Sequence, residues 1–391
     1  MKYRNANSVL PEQLIEMIQE YVQGEYLYIP VKDKFLSEAL TDYKTELEMR
    51  NAHIYTKFLE GMSNKQLASM YNLSESSIRR IIIKQRKGYM TMKEKLQKVL
   101  LNWGLQSNNI KQMYNTTWQV GDNYVLKVYY NLGMLERNLK LLCILDGMNV
   151  PVGQIIQTLN HEQYVSDGEA YYFLSHKLQG SNIVRISDDK NLAFRMGEII
   201  ANLHIAFQSC EKAEMFRSNS LLEEMNGWVK NNFENNNWKY ISKENYEIVV
   251  SKLASIYGEL TVQLIHRDVH FGNFLFDNGK FSGYIDFDLS QRNIRIFDLC
   301  YFLLGLLCEE KKLEITEDTW FDFVKNVFIG YEKKCMLSKA EKFAVPYVME
   351  CIELLFVSYF EEHNDVCCAE NAYKIFDFVS RQEDRIWNTI Q

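Results

Sequence analysis

Residues 264–276 read LIHRDVHFGNFLF, and this stretch carries the reading of the whole chain. His266, Asp268, His270 and Asn273 fall within eight positions between apolar flanks. The spacing is H-x-D-x-x-x-x-N, and thirteen residues beyond Asn273 stands Asp286, in GYIDFD, at the end of an apolar strand. Taken singly, each residue has an ordinary explanation: a packed core histidine at 266, loop carboxylates at 268 and 286. The joint spacing has none.

That spacing belongs to a loop that moves a phosphoryl group from ATP to a hydroxyl, followed by a metal-binding aspartate. The reaction needs a carboxylate beside the acceptor to orient it and take its proton, a role open to Asp268. It also needs Mg2+ against the triphosphate charge. Hard cations take oxygen ligands, so the amide oxygen of Asn273 and the carboxylate of Asp286 are suitable. Upstream, Lys127 in NYVLKVYY sits in an otherwise apolar strand, where an unpaired ammonium is costly. A phosphate and a carboxylate would relieve that cost. Glu136 in MLERNLKLLCIL offers the carboxylate, with a solvated Glu at a helix start as the alternative reading. Between the first two strands, Asn115-Thr116-Thr117 is the expected phosphate-covering loop, although it holds no glycine.

These residues resemble the aminoglycoside phosphotransferase and choline kinase-like family, whose fold is that of the protein kinases. The resemblance rests on VLKVYY, FLSHKLQG, IIANLH, HRDVHFGN, YIDFD and RIFDLCYFL, and covers roughly residues 100–380. It implies Lys127 as the ATP lysine, Asp268 as the base, Asn273 and Asp286 as magnesium ligands, and adenine against backbone groups of Ser175, His176 and Lys177. Two departures stand out. Arg267 replaces the glycine of the family's H-G-D, and Asp288 follows Asp286 and Phe287 where many kinases have glycine. Asp298 reads as a structural acceptor for loop N–H groups, His266 as the loop's pin, and His204 as a packed helix histidine.

Ahead of this region lies AHIYTKFLEGMSNKQLASMYNLSESSIRRIIIKQRK, residues 52–87. Ser63 with Gln66 predicts a capping box and a short helix with Leu67 and Met70 inward; Asn72 turns the chain, and Ser74 caps a second helix. On that helix Ile78, Ile81 and Ile82 form an apolar stripe, which leaves Ser76, Ser77, Arg79, Arg80 and Lys84 for DNA contacts. A solvated basic helix in a three-helix cap is the bland alternative. Residues 8–87, including VLPEQLIEMIQEYVQGEYLYIP, resemble the Mor transcription activator family. That resemblance implies a dimerising N-terminal region and DNA recognition through residues 63–87.

Composition agrees with an ordinary globular chain of 391 residues, 47% hydrophobic and 24% charged, with net charge −7. Residues 1–90 hold 13 Lys and Arg against 11 Asp and Glu, so the charge is uneven. Eight cysteines without CxxC spacing predict a reduced, cytoplasmic protein. The longest apolar run, 296–308, is interrupted by Asp298 and too short to span a bilayer, so no membrane partner is expected.

The sequence therefore predicts an α+β chain: a small all-α helix-turn-helix domain at 1–90, a kinase-like N-lobe at 91–178 and a helical C-lobe at 179–391. The expected cofactors are ATP, with GTP as the alternative, and Mg2+. The expected partner is a small-molecule hydroxyl acceptor of aminoglycoside, choline or homoserine-like type, with DNA and a homodimer through the N-terminal domain besides. Glu309, Glu310, Glu353, Glu361 and Glu362 are acidic candidates for attracting a cationic amine, although an acidic helix face is also commonly just solvated. The rival expectations are a transcription regulator whose kinase-like domain senses a ligand without turnover, and a helix-turn-helix that serves only as a dimer cap.

Overall fold

The computed structural model describes residues 50–391 apart from 52, 59–60, 72, 184–190, 214–215, 309–312 and 314. The expected dimerising region, Asn72, Glu309 and Glu310 lie outside the described residues.

The helix pair forms as its caps dictate. Ser63 and Gln66 make a reciprocal capping box that opens α1 (Asn64–Met70). Ser74 accepts from the Ser77 N–H and opens α2 (Glu75–Leu100). Leu67, Ile78 and Ile82 close a small core with Ile54 and Tyr55. Met70, expected inward, is 56% exposed, because in so short a helix Leu67 alone fills the inner face.

The sequence pattern predicts a new helix after Gly88, but α2 continues through Gly88 for 26 residues in all, about 39 Å. A glycine in a helix interior costs about 1 kcal/mol. Tertiary contacts hold the far half. Leu96, Val99 and Leu100 share a core with Trp103, Trp118, Leu126 and Val128, and Lys95 reaches Asp167 at 2.7 Å and Glu169 at 2.9 Å. The boundary expected at residue 90 falls inside this helix.

The N-lobe sheet comprises β1 (Ile110–Tyr114), β2 (Thr117–Val120), β3 (Tyr124–Tyr129), β4 (Ile155–Ile156), β5 (Val165–Ser166) and β6 (Tyr171–His176). Its order is β1-β2-β3-β6-β4, with β5 also on β6 and every pair antiparallel. Strand periodicity divides β3. Leu126 and Val128 join the core under α2, while Lys127 and Tyr129 take the opposite face. There α3 (Leu132–Gly147) brings Leu135, Leu139 and Leu142 into one core with Tyr129 and Phe173.

The C-lobe runs through α4 (Leu192–Ala213), three short helical pieces between Leu221 and Asn235, and α5 (Lys243–Tyr257). Two antiparallel pairs follow, β7 (Val262–Ile265) with β10 (Gln291–Ile294) and β8 (Phe274–Asp277) with β9 (Lys280–Tyr284). Helices α6 (Ile296–Cys308), α7 (Glu317–Glu332), α8 (Lys339–Glu362), α9 (Val366–Arg381) and α10 (Glu383–Ile390) complete the lobe. Glycine decides how closely α4 meets α7: a Cβ at Gly197 would strike the Val327 carbonyl, and one at Gly330 the Phe194 carbonyl. By length and composition α8 would cross a membrane, yet 67% of its apolar window is buried inside the lobe.

Candidate active site

The close approach of α4 and α7 has a consequence in the loop after β7. It sets the Tyr331 hydroxyl 2.8 Å from His204 Nδ1, and His204 Nε2 lies 3.0 Å from Asp298 Oδ2. Asp298, fully buried at the start of α6, accepts the His266 N–H on Oδ2 and the Arg267 N–H on Oδ1, both at 2.8 Å. Both N–H groups of the loop are thus fixed by one carboxylate, as expected for Asp298.

His266 extends the brace. Its Nδ1 accepts the Asp268 N–H at 3.3 Å, which leaves Nε2 to donate to the Ile285 carbonyl at 3.1 Å, next to Asp286. Asn182, which sequence reasoning missed, donates from Nδ2 to the carbonyls of Phe271, Gly272 and Phe274.

Arg267 stands at φ +70°, which explains why glycine is usual at this position. A residue with a Cβ gives up roughly 1 kcal/mol there. The guanidinium offsets it, donating to Glu224 Oε1 at 2.7 Å and Oε2 at 2.9 Å and lying over the Phe297 ring.

Asp268 is held from three sides. Its Oδ2 accepts from Asn273 Nδ2 at 2.9 Å, its Oδ1 from the Tyr301 hydroxyl at 2.9 Å, and His270 Nε2 lies 3.6 Å away. Burial alone would raise this carboxyl; the nearby His270 imidazole and the hydrogen bond from Tyr301 prevail and lower it to about 2. It is therefore ionised at neutral pH. Asn273 spends its amide nitrogen on the backbone and side chain of Asp268, which leaves Oδ1 for another partner. Tyr301, one turn beyond Asp298 in RIFDLCYFL, was open to discovery from helical spacing.

Lys127 Nζ lies 2.8 Å from Asp286 Oδ1 and 2.6 Å from Asp288 Oδ2. Burial pulls this ammonium's pKa down, and the two carboxylates more than reverse it. Glu136 does not take the expected place: it is exposed and makes no ion pair among the described residues. The helical rotation that buries Leu135 and Leu139 turns Asn138, not Glu136, toward β3. No group of three or more His, Cys, Asp or Glu among the described residues would hold a metal unaided. Mg2+ keeps water and phosphate ligands of its own, so Asn273 Oδ1 and the Asp286 carboxylate, which face one cleft, fit it as a protein pair.

That cleft has a volume of about 450 Å3, and Thr117, Ser175, His176 and Lys177 line it with Lys127. Thr116, half-buried in the tight β1–β2 turn, does not line it. The N–H groups of His176 and Lys177 already donate to the Gln154 and Asn123 carbonyls, so the expected adenine pairing is left with carbonyl groups there. A second cavity of about 340 Å3 lies beyond Asp268, lined by Tyr301, Phe302, Glu353, Phe356 and Asn371. Asp268 and His270 wall both spaces.

A model of the phosphotransferase enzyme family matches residues 109–332, more than half of the chain. The chain belongs to this family. A protein of Lactococcus lactis described as "Probable aminoglycoside 3'-phosphotransferase" is 26% identical over 185 residues, spanning 46% of this chain and 66% of the relative. Among solved structures, an amicoumacin kinase in complex with AMP-PNP and Ca2+ covers 77% of this chain and 96% of its own, with TM-score 0.58 and 16% identity. A microcompartment-associated aminopropanol kinase covers 75% and 96%, with TM-score 0.55 and 15% identity. At such identities the likeness establishes the fold: this family member has the two-lobed, protein-kinase-like architecture.

The Mor transcription activator family model matches residues 4–96. The Bacillus subtilis protein YraL is 37% identical over 84 residues, 21% of this chain and 97% of YraL. Within this region Ser76, Arg79, Arg80 and Lys84 are exposed on α2, where they edge a shallow groove with Ile83. Ser77 is half-buried and tied to the cap, with its hydroxyl 2.9 Å from that of Ser74.

Proposed function

We propose that this phosphotransferase family member moves the γ-phosphoryl group of ATP to a hydroxyl of a small molecule, with Mg2+ as cofactor and GTP as the alternative donor. The observation that carries the reading is the place of Asp268, whose carboxylate walls two cavities at once. The larger holds Lys127, Asn273 and Asp286, a set suited to a metal-bound triphosphate. The smaller admits an acceptor. Lys127 would hold the phosphates, while Asn273 and Asp286 would hold Mg2+, which offsets the phosphate charge when bound. Asp268 would accept the acceptor's hydrogen bond and take its proton as the new P–O bond forms and the bond from the γ-phosphorus to the β,γ-bridging oxygen breaks, with ADP as the leaving group. A carboxyl lowered to about 2 is a weak base, which suits a loose transition state that asks chiefly for alignment.

Glu353 bears on the acceptor. Among the described acidic candidates it is the one that lines the smaller cavity, and it is 5% exposed. No described residue donates to it, and burial raises its carboxyl well above the ordinary value. A cationic amine on the acceptor would supply the missing partner, and the Tyr301 and Phe356 rings, 5.9 Å apart, would add cation–π attraction. Amino alcohols of choline or homoserine type suit this space, as does one amine-bearing ring of an aminoglycoside. Eight free cysteines suit a cytoplasmic setting.

The test is turnover of Mg·ATP by the full chain with a panel of such alcohols, run beside Asp268→Ala. Turnover lost while the melting temperature holds is expected; turnover retained would remove Asp268 from the reaction.

A second reading is favoured by α2. One helix carries the exposed cations and packs on the N-lobe sheet, so a nucleotide-dependent shift of that lobe would be passed to a DNA-reading surface. Here the kinase-like domain would sense its ligand for a transcription regulator, as a dimer if the N-terminal region pairs. Gel shifts at stated salt with the gene's own upstream DNA, with and without Mg·ATP, test it.

A further inference from the structure

Lys127 lacks the helix carboxylate expected for it, and what stands in its place is a chain of contacts. Asn138 on α3 is 6% exposed and donates from Nδ2 to the Tyr129 hydroxyl at 2.7 Å. The Tyr129 hydroxyl in turn donates to Asp288 Oδ1. Asp288 Oδ2 lies 2.6 Å from Lys127 Nζ, closer than Asp286 at 2.8 Å. Tyr129 and Lys127 are two residues apart on β3, so strand periodicity aims both at the same carboxylate. Helix α3 therefore reaches Lys127 through Asn138, Tyr129 and Asp288.

Asp286 cannot hold the ammonium throughout the cycle if it is to serve a metal. Its side chain is 49% exposed to the cleft, whereas that of Asp288 is 24% exposed and anchored by Tyr129. A glycine at 288 would leave Lys127 without a carboxylate in that state and the Tyr129 hydroxyl without its acceptor. Asn138 cannot substitute, because an amide carries no charge to balance an ammonium.

We propose that Asp288 is the positioning residue for Lys127, holding the ammonium on the nucleotide phosphates through a relay to α3 in place of a helix glutamate. The proposal rests on the phosphotransferase reading above and concerns how this chain binds the donor nucleotide.

The experiment is equilibrium binding of Mg·AMP-PNP to the full-length chain, as wild type, Asp288→Asn, Lys127→Ala and the double variant. Each single substitution is expected to weaken binding about tenfold. The double variant is expected to match Lys127→Ala within about twofold, since residues acting through one contact do not add. Losses that multiply, or wild-type affinity in Asp288→Asn, would overturn the proposal. Asp288→Glu restores affinity if the carboxylate positions the lysine. The Mg2+ concentration for half-maximal binding stays unchanged in Asp288→Asn; a tenfold rise would make Asp288 a metal ligand instead and sink the idea. If Asp288→Asn does not fold, Tyr129→Phe cuts the same relay and should weaken binding about threefold, and unchanged binding there counts against the relay. Failure of the wild type to bind Mg·AMP-PNP would remove the phosphotransferase reading itself, so the two failures are distinguishable.

Discussion

The loop around Asp268 and the exposed face of α2 offer opposite kinds of functional surface. In the loop, the carboxylates, imidazoles and amides of residues 266–273 and 298 are braced by one another: Asp298 holds two N–H groups, His266 ties Asp268 to Ile285, and Asn273 grips Asp268. On α2, Arg80 and Lys84 project into solvent, the Ser76 hydroxyl lies 2.8 Å from that of Ser74, and among the described residues Arg79 pairs with Glu75 at 3.7 Å, one turn back. The difference matches the tasks proposed for the two surfaces. Phosphoryl transfer depends on alignment, which must be built into the protein. Attraction to a polyanion depends on charge, which the partner can organise.

If the loop is the built site, Asp268→Asn should show the largest effect, a fall in kcat of about 10^2 to 10^4 with little change in melting temperature. Near-normal turnover in an ATP-coupled assay would place the chemistry elsewhere. Removing the brace rather than the reacting group comes next. Asp298→Ala leaves two loop N–H groups and His204 without their acceptor, and denaturant titration should show a loss of about 3 kcal/mol. A loss below about 1 kcal/mol would mean that the loop is not held in the way its contacts indicate.

Glu353 sharpens the contrast from inside the C-lobe, since it is buried like the loop yet has no hydrogen-bond donor among the described residues. Its carboxyl is raised above 4.5 by burial, so its contribution to stability is present below that pH and is lost as pH rises through the folded-state value. Glu353→Gln should accordingly raise the melting temperature more at about pH 8 than at about pH 5. It should also weaken binding of an amine-bearing acceptor about tenfold while leaving the KM for ATP unchanged. An equal loss for acceptors without an amine would break the pairing idea.

The smallest effects belong to the open face. Arg80→Ala or Lys84→Ala should lower the salt slope of DNA binding by about one each and leave phosphotransfer untouched. A salt slope that does not move would reduce this face to a solvated helix.

Much of the loop was legible because its signal is local. His266, Asp268 and Asn273 lie within eight residues, and a spacing that suits a metal-bound triphosphate can be read from adjacent letters. The caps at Ser63 and Ser74 were legible for the same reason, being contacts between residues three apart. Glu136 misled because a carboxylate at a helix start can point to either face. The burial of Leu135 and Leu139, not the presence of Glu136, set which way α3 turned. The break after Gly88 misled in the same manner, since the contacts that carry α2 past it come from Trp118, Leu126 and Asp167, far along the chain.

The sequence by itself determined which groups are on offer: the Asp268 carboxylate, the Asn273 and Asp286 oxygens proposed for a metal, a lysine and a cationic helix, each written in a short motif. Only the tertiary structure decided which of these meet. Lys127 and Asp288 are 161 positions apart, and Asn182 and Gly272 are 90 apart. The first pairing depends on how two lobes close over one cleft, the second on how the C-lobe folds back on its own loop. Periodicity and spacing govern contacts within a turn or a strand; contacts across a core are set by which apolar faces bury one another, and the polar side chains go where that packing carries them.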